Sequence, residues 1–169
     1  MKGLAVVVLA AGLGTRMKSS LAKVLHPLAG SPMLSHVLLS VTRLRPDKVV
    51  VVVGHQADKV RALLPDGAQT ADQKEQLGTA HAALTGLKRL GRYDGTLLLV
   101  SGDTPLMTAE TLRRLLDAHK KSGAQVSILT ASPAEPKGYG RIIRDGSGAV
   151  KGIVEEKDAS PAEKSIGEI

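Results

Sequence analysis

The chain has 169 residues, of which 43% are hydrophobic and 23% charged, a composition that is typical of a soluble globular protein and excludes a disordered or fibrous one. Lysine and arginine outnumber aspartate and glutamate by 23 to 16, and the formal charge of +7 favours phosphorylated partners, either nucleic acid or small phosphates. The chain has two tyrosines, no phenylalanine, no tryptophan and no cysteine, which excludes stacking platforms for single-stranded nucleic acid, disulfides and thiolate metal sites.

The first predicted element is a strand, Leu4–Leu9, in an apolar run that ends at Ala11. Because this run follows Lys2, it also fits a short signal peptide with a small-residue cleavage site. A continuous run rich in valine is equally typical of a parallel strand that is buried on both faces. No later run approaches the roughly 18 apolar residues of a transmembrane helix, so we expect no membrane insertion. The lack of cysteine fits a reducing compartment, and we expect the cytoplasm.

Two more runs, Val49–Val53 and Thr96–Val100, predict further buried strands. A first helix begins with Ser31 as N-cap and Pro32 as first residue, and the later helices are Asp58–Leu64, Ala80–Leu90 and Thr108–Lys121. The residues predicted to face the core are Leu34, Val37, Leu38 and Val41 in the first helix, Ala83, Leu84 and Leu87 in the third, and Leu112, Leu115 and Leu116 in the fourth. Alternating strands and helices predict an α/β fold, a Rossmann-like doubly wound and mostly parallel sheet.

The last third of the chain has a different pattern. Gln125–Thr130 is predicted to be a strand, and Arg141–Arg144 and Ala149–Glu155 form a predicted hairpin around an Asp-Gly-Ser-Gly turn. The segment Asp158–Ile169 is polar and is expected to have neither a helix cap nor a side that faces the core. Since the sequence shows no linker and no repeat, we expect a single domain.

The candidate chemistry lies where the first strand ends, in the segment Leu9-Ala10-Ala11-Gly12-Leu13-Gly14-Thr15-Arg16-Met17. Small residues and two glycines allow backbone N–H groups to approach a polyphosphate, and Arg16 and Lys23 add positive charge. The segment is not a Walker loop, and Met17 replaces the third glycine of a dinucleotide fingerprint. Because the segment lies at the carboxyl end of a buried strand, it favours a ligand site. The residues alone also fit an ordinary strand-to-helix turn.

The same segment, continued by Lys23-Val24-Leu25-His26-Pro27-Leu28-Ala29-Gly30, resembles the opening signature of sugar-phosphate nucleotidyltransferases. Within this superfamily the chain most resembles the uridylyltransferase domain of the bacterial bifunctional N-acetylglucosamine-1-phosphate uridyltransferases/glucosamine-1-phosphate acetyltransferases. The other matching segments are QKEQLGTAHA at 73–82, GDTPL at 102–106, GYGRI at 138–142 and IVEEKDA at 153–159. The opening signature is shared across the superfamily, whereas the combination of K-V-L-H with Q-L-G-T-x-H-A is much narrower.

The resemblance implies a nucleotide-diphospho-sugar transferase fold and Mg²⁺-dependent uridylyl transfer from UTP to N-acetylglucosamine 1-phosphate. The products would be pyrophosphate and UDP-N-acetylglucosamine, a precursor of peptidoglycan and lipopolysaccharide. By position, the resemblance implies that the catalytic residues are Arg16, Lys23 and Asp103, with Asp103 as the metal ligand. It implies that the nucleotide is bound by Leu9, Ala10, Ala11, Gly12, Gly14, Lys23, Gln73, Gln76, Gly78 and Thr79. It assigns the sugar to Ser101, Gly102, Gly140 and Glu155.

The chain departs from the family pattern in two places. The family usually has tyrosine before Gly-Asp, where this chain has Ser101. The family pattern also continues from Glu-Ile into Asn-Thr-Gly, whereas this sequence stops at Ile169. A later asparagine that shares the metal and a left-handed β-helix acetyltransferase domain, through which family members form trimers, lie beyond that point. We therefore expect an N-terminal part of a larger enzyme and assign no acetyl transfer to it.

Other interpretations remain open at the level of the sequence. Asp103 fits the cap of a turn, Lys23 a solvated surface residue, Gln73 and Gln76 polar loop residues, and Glu155 an exposed position on a strand. His26 and His81 have no metal-ligand spacing and are interpreted as structural histidines. For the whole chain the alternatives are another nucleotidyltransferase with a different base, sugar or molybdopterin acceptor, a basic nucleic-acid-binding module, and a non-catalytic fragment.

Overall fold

The structure of the protein is a computed structural model that describes residues 3–14 and 17–169. Its central feature is a parallel sheet of four strands, which lie in the order Gln69–Asp72, Lys48–Val53, Leu4–Leu9 and Thr96–Ser101. The elements in chain order are β1 (Leu4–Leu9), β2 (Pro27–Leu28), β3 (Ser31–Pro32), α1 (Met33–Thr42), β4 (Lys48–Val53), α2 (Ala57–Arg61), β5 (Gln69–Asp72), α3 (Thr79–Leu90), β6 (Thr96–Ser101), α4 (Ala109–Ser122), β7 (Arg141–Arg144), β8 (Val150–Val154) and α5 (Pro161–Lys164).

The strands β1, β4 and β6 form where the sequence predicts them, along runs of β-branched and leucine side chains. Successive side chains of a strand point to opposite faces of the sheet. Val6, Val7 and Val8 are all fully buried, so both faces of the sheet are covered at β1. β1 lies between its two neighbours, with Val7 opposite Val50 of β4 and Leu99 of β6. The predicted α/β fold with a parallel sheet is confirmed.

Helix α3 packs closely on the sheet because small residues face the strands. Its buried residues are Ala82, Gly86 and Leu90. A Cβ atom at Gly86 would overlap Cγ1 of Val7, so the glycine allows the helix to approach the strand closely. The predicted inward face is partly wrong, since Leu84 is 55% exposed and Ala83 is only half-buried, whereas Leu87 packs against the core as predicted.

Helix α1 buries the face that the sequence predicts. Its buried residues are Leu34, Val37, Leu38 and Val41. Its beginning differs from the prediction, because Pro32 rather than Ser31 is the N-cap. Ser31 instead pairs with Leu28 in the short antiparallel ladder of β2 and β3, which positions it outside the helix.

Helix α4 buries Leu112 and Leu116 as predicted, while Leu115 is half-buried. Helix α2 ends earlier than the sequence predicts. The N–H groups of Leu63 and Leu64 donate to carbonyls three residues back, which is the tighter 3₁₀ pattern and not a continuation of the α-helix. Across residues 3–14 and 17–169, no helix combines the length and the apolar character that a membrane span needs.

The chain divides into two compact units, of which the first ends at Arg114 and the second comprises Leu115–Ile169. The predicted hairpin of the second unit is confirmed, with Arg141 of β7 opposite Val154 of β8 in antiparallel register. Asp145 stabilises its turn, because the carboxylate accepts hydrogen bonds from the backbone N–H groups of Ser147 and Ala149. The single-domain expectation stays a prediction.

Two predictions for the second unit are wrong. Gln125–Thr130 forms no strand and is mostly exposed, because no described strand pairs with it and a strand is stable only beside a neighbour. The segment after Asp158 does contain a capped helix. The Ser160 hydroxyl accepts from the N–H of Glu163, and the Glu163 carboxylate accepts from the N–H of Ser160, so α5 begins with a complete capping box.

Candidate active site

A cavity of about 340 Å³ opens at the carboxyl ends of β1 and β6 and beside the loop that follows β5. In a parallel α/β sheet this edge is where ligands bind, because loops from neighbouring strands meet there. The predicted site residues that line the cavity are Leu9, Ala11, Gly12, Lys23, Gln73, Gln76, Gly78, Thr79, Ser101 and Asp103. The structure thus brings together residues that are up to 94 positions apart in the sequence, from Leu9 to Asp103.

The loop after β1 presents backbone N–H groups at this cavity. Ala10 is still held in the sheet, where its N–H donates to the carbonyl of Val52 at 2.9 Å. The N–H groups of Gly12, Leu13 and Gly14 have no acceptor among the described residues. Gly12 and Leu13 are exposed and line the cavity, whereas Gly14 is half-buried and does not line it. A row of free N–H groups is the usual protein arrangement for a phosphate oxygen.

Two glycines keep the ends of the strands close to this loop. A Cβ atom at Gly54, after β4, would lie 2.9 Å from the carbonyl oxygen of Ala11. One at Gly102, after β6, would lie 3.0 Å from the carbonyl oxygen of Leu9, and Gly102 donates its N–H to that same oxygen. Gly102 and Ala10 are buried and do not line the cavity, so their place is in the packing that shapes it.

The charged part of the cavity is an ion pair. Nζ of Lys23 lies 2.7 Å from Oδ2 of Asp103, and both side chains are partly exposed, 42% and 32%. Lys23 begins a 3₁₀ turn that ends at Leu25, and Asp103 follows β6. Asp103 does not cap its own turn, since the Thr104 hydroxyl donates to the Ser101 carbonyl there and no described N–H donates to the carboxylate.

The loop between β5 and α3 contributes two carboxamides. Gln73 is 5% exposed, and its N–H donates to the carbonyl of Val53. Its Nε2 lies 3.3 Å from the carbonyl oxygen of Gly78 and 3.1 Å from Nδ1 of His81. Gln76 is exposed to the cavity. Gly78 has a φ of +92°, a conformation that glycine adopts without strain, and it is the N-cap of α3.

The remaining predicted residues are distributed differently. Gly14 has a φ of +63° and lies against Lys23, where a Cβ atom would be 2.6 Å from Cβ of that lysine. Arg16 lies outside the described residues. Gly140 and Glu155 belong to the second unit, where they flank β7 and β8 at the open end of the hairpin. Their predicted contact with a sugar stays a prediction.

Leu13 lies in the segment that the sequence predicts to face a ligand, whereas sequence reasoning assigns no role to Val24, Ala82 or Gln56. The apolar wall of the cavity includes Leu13, Val24 and Ala82. Gln56 holds the loop that leads to Lys23, since its Oε1 accepts from the N–H of Ala22 at 3.1 Å and its Nε2 donates to the carbonyl of Ser20 at 2.9 Å. Gln56 has a φ of +54°, which is strained for a residue other than glycine. The sequence around it contains no pattern that indicates this support.

A divalent cation at this cavity would have one carboxylate from the described residues, that of Asp103. Those residues contain no group of three or more His, Cys, Asp or Glu side chains that is suited to a metal ion. Mg²⁺ commonly takes only one or two carboxylates and completes its shell with water and substrate phosphates. The donor set therefore fits a hard cation that is shared with a bound phosphate.

Comparison with known proteins matches residues 6–153 to the model of the MobA-like NTP transferase domain. Among curated relatives, the bifunctional protein GlmU of Lactococcus lactis subsp. lactis (strain IL1403) is 55% identical over 163 residues. That alignment covers 96% of this chain and 36% of the relative, so the chain spans about a third of the length of that protein.

Solved structures agree with the fold. HddC from Yersinia pseudotuberculosis superimposes with a TM-score of 0.68 at 21% identity, over 89% of this chain and 68% of that chain. Rv0371c from Mycobacterium tuberculosis H37Rv, in a complex with manganese, has a TM-score of 0.57 at 27% identity, over 70% of this chain and 60% of that chain. The family match extends over most of the chain and includes every described residue that lines the cavity, so the chain belongs to the MobA-like NTP transferase domain family.

Proposed function

We propose that the protein transfers a uridylyl group from UTP to N-acetylglucosamine 1-phosphate, with UDP-N-acetylglucosamine and pyrophosphate as products. The observation that supports this most directly is the composition of the cavity: free loop amides, the Lys23–Asp103 pair and two carboxamides line one space of about 340 Å³. The cavity therefore contains groups that suit a phosphate, a metal ion and a base. The narrower motif resemblance and the 55% identity to a GlmU protein favour uridylyl transfer within the family.

The triphosphate is expected along the loop after β1. The free N–H groups of Gly12, Leu13 and Gly14 are donors for phosphate oxygens, and the ammonium of Lys23 supplies positive charge beside them. Arg16, by the resemblance, adds a second cation. Binding of the anion would draw Lys23 from Asp103 toward the phosphates. The base is expected between the carboxamides of Gln73 and Gln76, because such groups offer both a donor and an acceptor to a uracil edge.

Asp103 would hold Mg²⁺ together with phosphate oxygens of the bound nucleotide. The manganese complex of Rv0371c supports a divalent metal in this family, and Mg²⁺ is our specific proposal. When bound, the metal would neutralise charge on the phosphates and on the departing pyrophosphate. The carboxylate of Asp103 is partly exposed at the cavity, so a metal can reach it without a rearrangement of the core.

The reaction needs positioning and charge neutralisation rather than a general base. A phosphate oxygen of N-acetylglucosamine 1-phosphate forms a bond to the α-phosphorus of UTP, and the bond from that phosphorus to the bridging oxygen breaks, so that pyrophosphate leaves with the electron pair. The attacking phosphate is already ionised at neutral pH. Both reactants are anions, and therefore Lys23 and the loop amides contribute by lowering their repulsion and fixing their geometry. We propose that Ser101 contributes to the sugar site from the first unit, and the predicted contacts of Gly140 and Glu155 with the sugar stay predictions.

The wider setting belongs to the same proposal. The product would enter peptidoglycan and lipopolysaccharide synthesis, and we propose a cytoplasmic location because the nucleotide substrate is made there. Acetyl transfer and trimer formation, which the resemblance attributes to a β-helix domain of longer family members, are not assigned to these residues.

The test is release of pyrophosphate by the purified chain with UTP, N-acetylglucosamine 1-phosphate and Mg²⁺. Parallel reactions with ATP, CTP and GTP, and with glucose 1-phosphate as acceptor, define the specificity. We expect release with UTP and the N-acetylated sugar phosphate, and its loss in Lys23→Met. Lys59→Met removes an exposed lysine of α2 that does not line the cavity, so it should behave as the unaltered protein. A stronger reaction with another nucleoside triphosphate, or none with any of them, would overturn the proposal.

A further inference from the structure

The side chain of Gln73 has an orientation that its neighbours determine. A carbonyl oxygen only accepts hydrogen bonds. The carboxamide atom that lies 3.3 Å from the carbonyl oxygen of Gly78 must therefore be the NH₂ group and not the oxygen. Because the residue is 5% exposed, water has little access to compete with this contact. The contact with Gly78 thus favours the orientation in which the NH₂ group of Gln73 faces that carbonyl.

The same NH₂ group also determines the state of His81. Nδ1 of His81 lies 3.1 Å from Nε2 of Gln73, which is a donor, so Nδ1 must be the acceptor. A neutral imidazole with an acceptor at Nδ1 has its proton on Nε2. His81 lies on the first turn of α3, whose N-cap is Gly78, so the helix positions both acceptors that face the amide.

The contact with His81 contributes more to the orientation of the Gln73 amide than the contact with Gly78 does. The carbonyl oxygen of Gly78 already accepts from the N–H of Ala82 at 3.1 Å, and its distance to Gln73 is the longer one. Nδ1 of His81 has no other donor among the described residues. Removal of the imidazole would leave the amide with a single, shared and longer contact. Its two orientations would then differ much less in free energy.

The fixed orientation leaves one group of Gln73 for a ligand. Both hydrogens of its NH₂ group are directed to Gly78 and His81, and no described residue donates to its Oε1. Since Gln73 lines the cavity, it presents an acceptor there and not a donor. Uracil offers an N3–H donor to such an acceptor, whereas N3 of cytosine is itself an acceptor and would be repelled.

We propose that His81 is a positioning residue for base selectivity: by accepting from the NH₂ group of Gln73, it holds Oε1 toward the base and so selects a pyrimidine with an N3–H group. This inference rests on the proposed function, because it takes the ligand to be a nucleotide whose base contacts Gln73. His81 itself does not line the cavity and needs no contact with the nucleotide. Its effect is transmitted through one carboxamide.

The tautomer can be measured without any ligand. Nitrogen-15 NMR of the unaltered chain distinguishes a protonated Nε2 from a protonated Nδ1, and the signals of His81 are identified by their loss in His81→Asn. We expect the proton on Nε2. A proton on Nδ1 would overturn the inference, because two donors would then face each other.

Selectivity is measured by calorimetric binding of UTP and of CTP, each with Mg²⁺. His81→Leu removes the acceptor and should lower the ratio of UTP to CTP affinity about tenfold, the usual weight of one hydrogen bond. His81→Asn keeps an oxygen acceptor near the position of Nδ1 and should retain most of the ratio. His119→Leu is the matched control, since Nδ1 of His119 also contacts a side chain, Oγ of Ser127, but in the second unit. It should leave the ratio unchanged.

The outcomes separate this inference from the proposed function. Equal losses of UTP and CTP affinity in His81→Leu, with an unchanged ratio, would mean that the histidine only supports the fold, and would overturn the inference alone. An unaltered chain that binds UTP and CTP with equal affinity would overturn the base assignment of Gln73 and the inference with it. If neither nucleotide binds, the proposed function fails as well, and the NMR result still decides the hydrogen bond.

Discussion

Replacement of Gly14 by alanine tests how the loop after β1 positions Lys23. Gly14 has a φ of +63°, a left-handed conformation that suits glycine. A methyl group there would lie 2.6 Å from Cβ and 3.3 Å from Cα of Lys23. These atoms are the base of the lysine and not its mobile end, so rotation of the side chain cannot relieve the contact. Either Gly14 or the backbone at Lys23 must shift.

The size of the effect follows from three contributions. The left-handed conformation costs a residue with a Cβ atom roughly 1–2 kcal/mol. The smaller freedom of alanine in the unfolded chain offsets roughly 0.4–1 kcal/mol of this. Relief of the contact with Lys23 adds about 1 kcal/mol, the lower end for an overpacked site, since this turn is partly exposed. The expected loss of about 2 kcal/mol lowers the melting temperature of a chain of this size by about 4–8 °C.

Gly12→Ala is the matched control in the same loop. A Cβ atom at Gly12 meets nothing within 4 Å, and its φ is not positive. We expect it to melt within about 2 °C of the unaltered protein, as a surface substitution without strain does. Gly12 does line the cavity, so its methyl group should weaken UTP binding. The two variants are thus expected to separate stability from binding.

The measurements are thermal unfolding followed by circular dichroism and calorimetric titration with UTP and Mg²⁺. Gly14→Ala should lose both stability and affinity, because it displaces the ammonium of Lys23 from the phosphates. A Gly14→Ala protein with unaltered melting temperature and UTP affinity would refute the reasoning. An equal loss of stability in Gly12→Ala would refute it too, since the loop would then be sensitive to any added carbon.

Three further outcomes are expected. Asp103→Asn should abolish pyrophosphate release but leave the melting temperature of the free protein within a few degrees, since its side chain is 32% exposed; unfolding would indicate a structural residue. Gln76→Ala should lower the preference for UTP over CTP about tenfold, because an unpaired base edge costs ~1–3 kcal/mol, and an unchanged preference would remove Gln76 from the base site. Hydrogen bonds from Arg144, and then from Thr130, lower the pKa of Glu168 to about 2 from 4.5. Stability from this carboxylate is therefore present above pH 4.5 and lost between pH 4.5 and 2, and Glu168→Gln should remove that loss in denaturant titrations across this range.

The strands show what a hydrophobic pattern can and cannot predict. β1, β4 and β6 are recognised because they are rich in valine and leucine, although β6 is an edge strand on which Leu99 is exposed. β5 has one buried residue, Ala71, and is a strand because the neighbouring β4 offers it hydrogen bonds. Gln125–Thr130 has the better pattern and is not a strand, since no described strand pairs with it. Whether a segment forms a strand depends on the strand beside it, and a local sequence pattern carries no information about that strand.

The helices α3 and α5 differ in whether the sequence alone can correct the prediction. In α3 the separation between helix and sheet is set by Gly86, and a pattern that weighs hydrophobicity but not size selects Leu84 for the inward face. The start of helix α5 can be recognised in the sequence, because Ser160 and Glu163 have the Ser-x-x-Glu spacing of a capping box. The first error needs the tertiary structure to correct it, whereas the second does not.

At the site, the sequence identifies residues that line the cavity better than residues that support them. Lys23 and Asp103 belong to motifs, and the topology of the sheet explains why they meet, since β1 and β6 are neighbours and end at the same edge. Gln56 supports the loop before Lys23, and His81 orients Gln73, without lining the cavity. Such supporting roles depend on which side chains become neighbours, which the fold alone determines.

In the proposed base site, hydrogen bonding has the main part, because no aromatic side chain lines the cavity. Neither tyrosine of the chain lines the cavity, and the apolar wall is formed by aliphatic side chains such as Leu9, Leu13 and Val24. Aliphatic contact is nearly the same for uracil and cytosine, because a hydrophobic surface discriminates poorly between rings of one shape. Discrimination then depends on the polar edge of the base and on the carboxamides that face it. A rotation of the buried amide of Gln73 would exchange an acceptor for a donor at that edge, so the groups that prevent this rotation determine specificity as directly as the groups that contact the base.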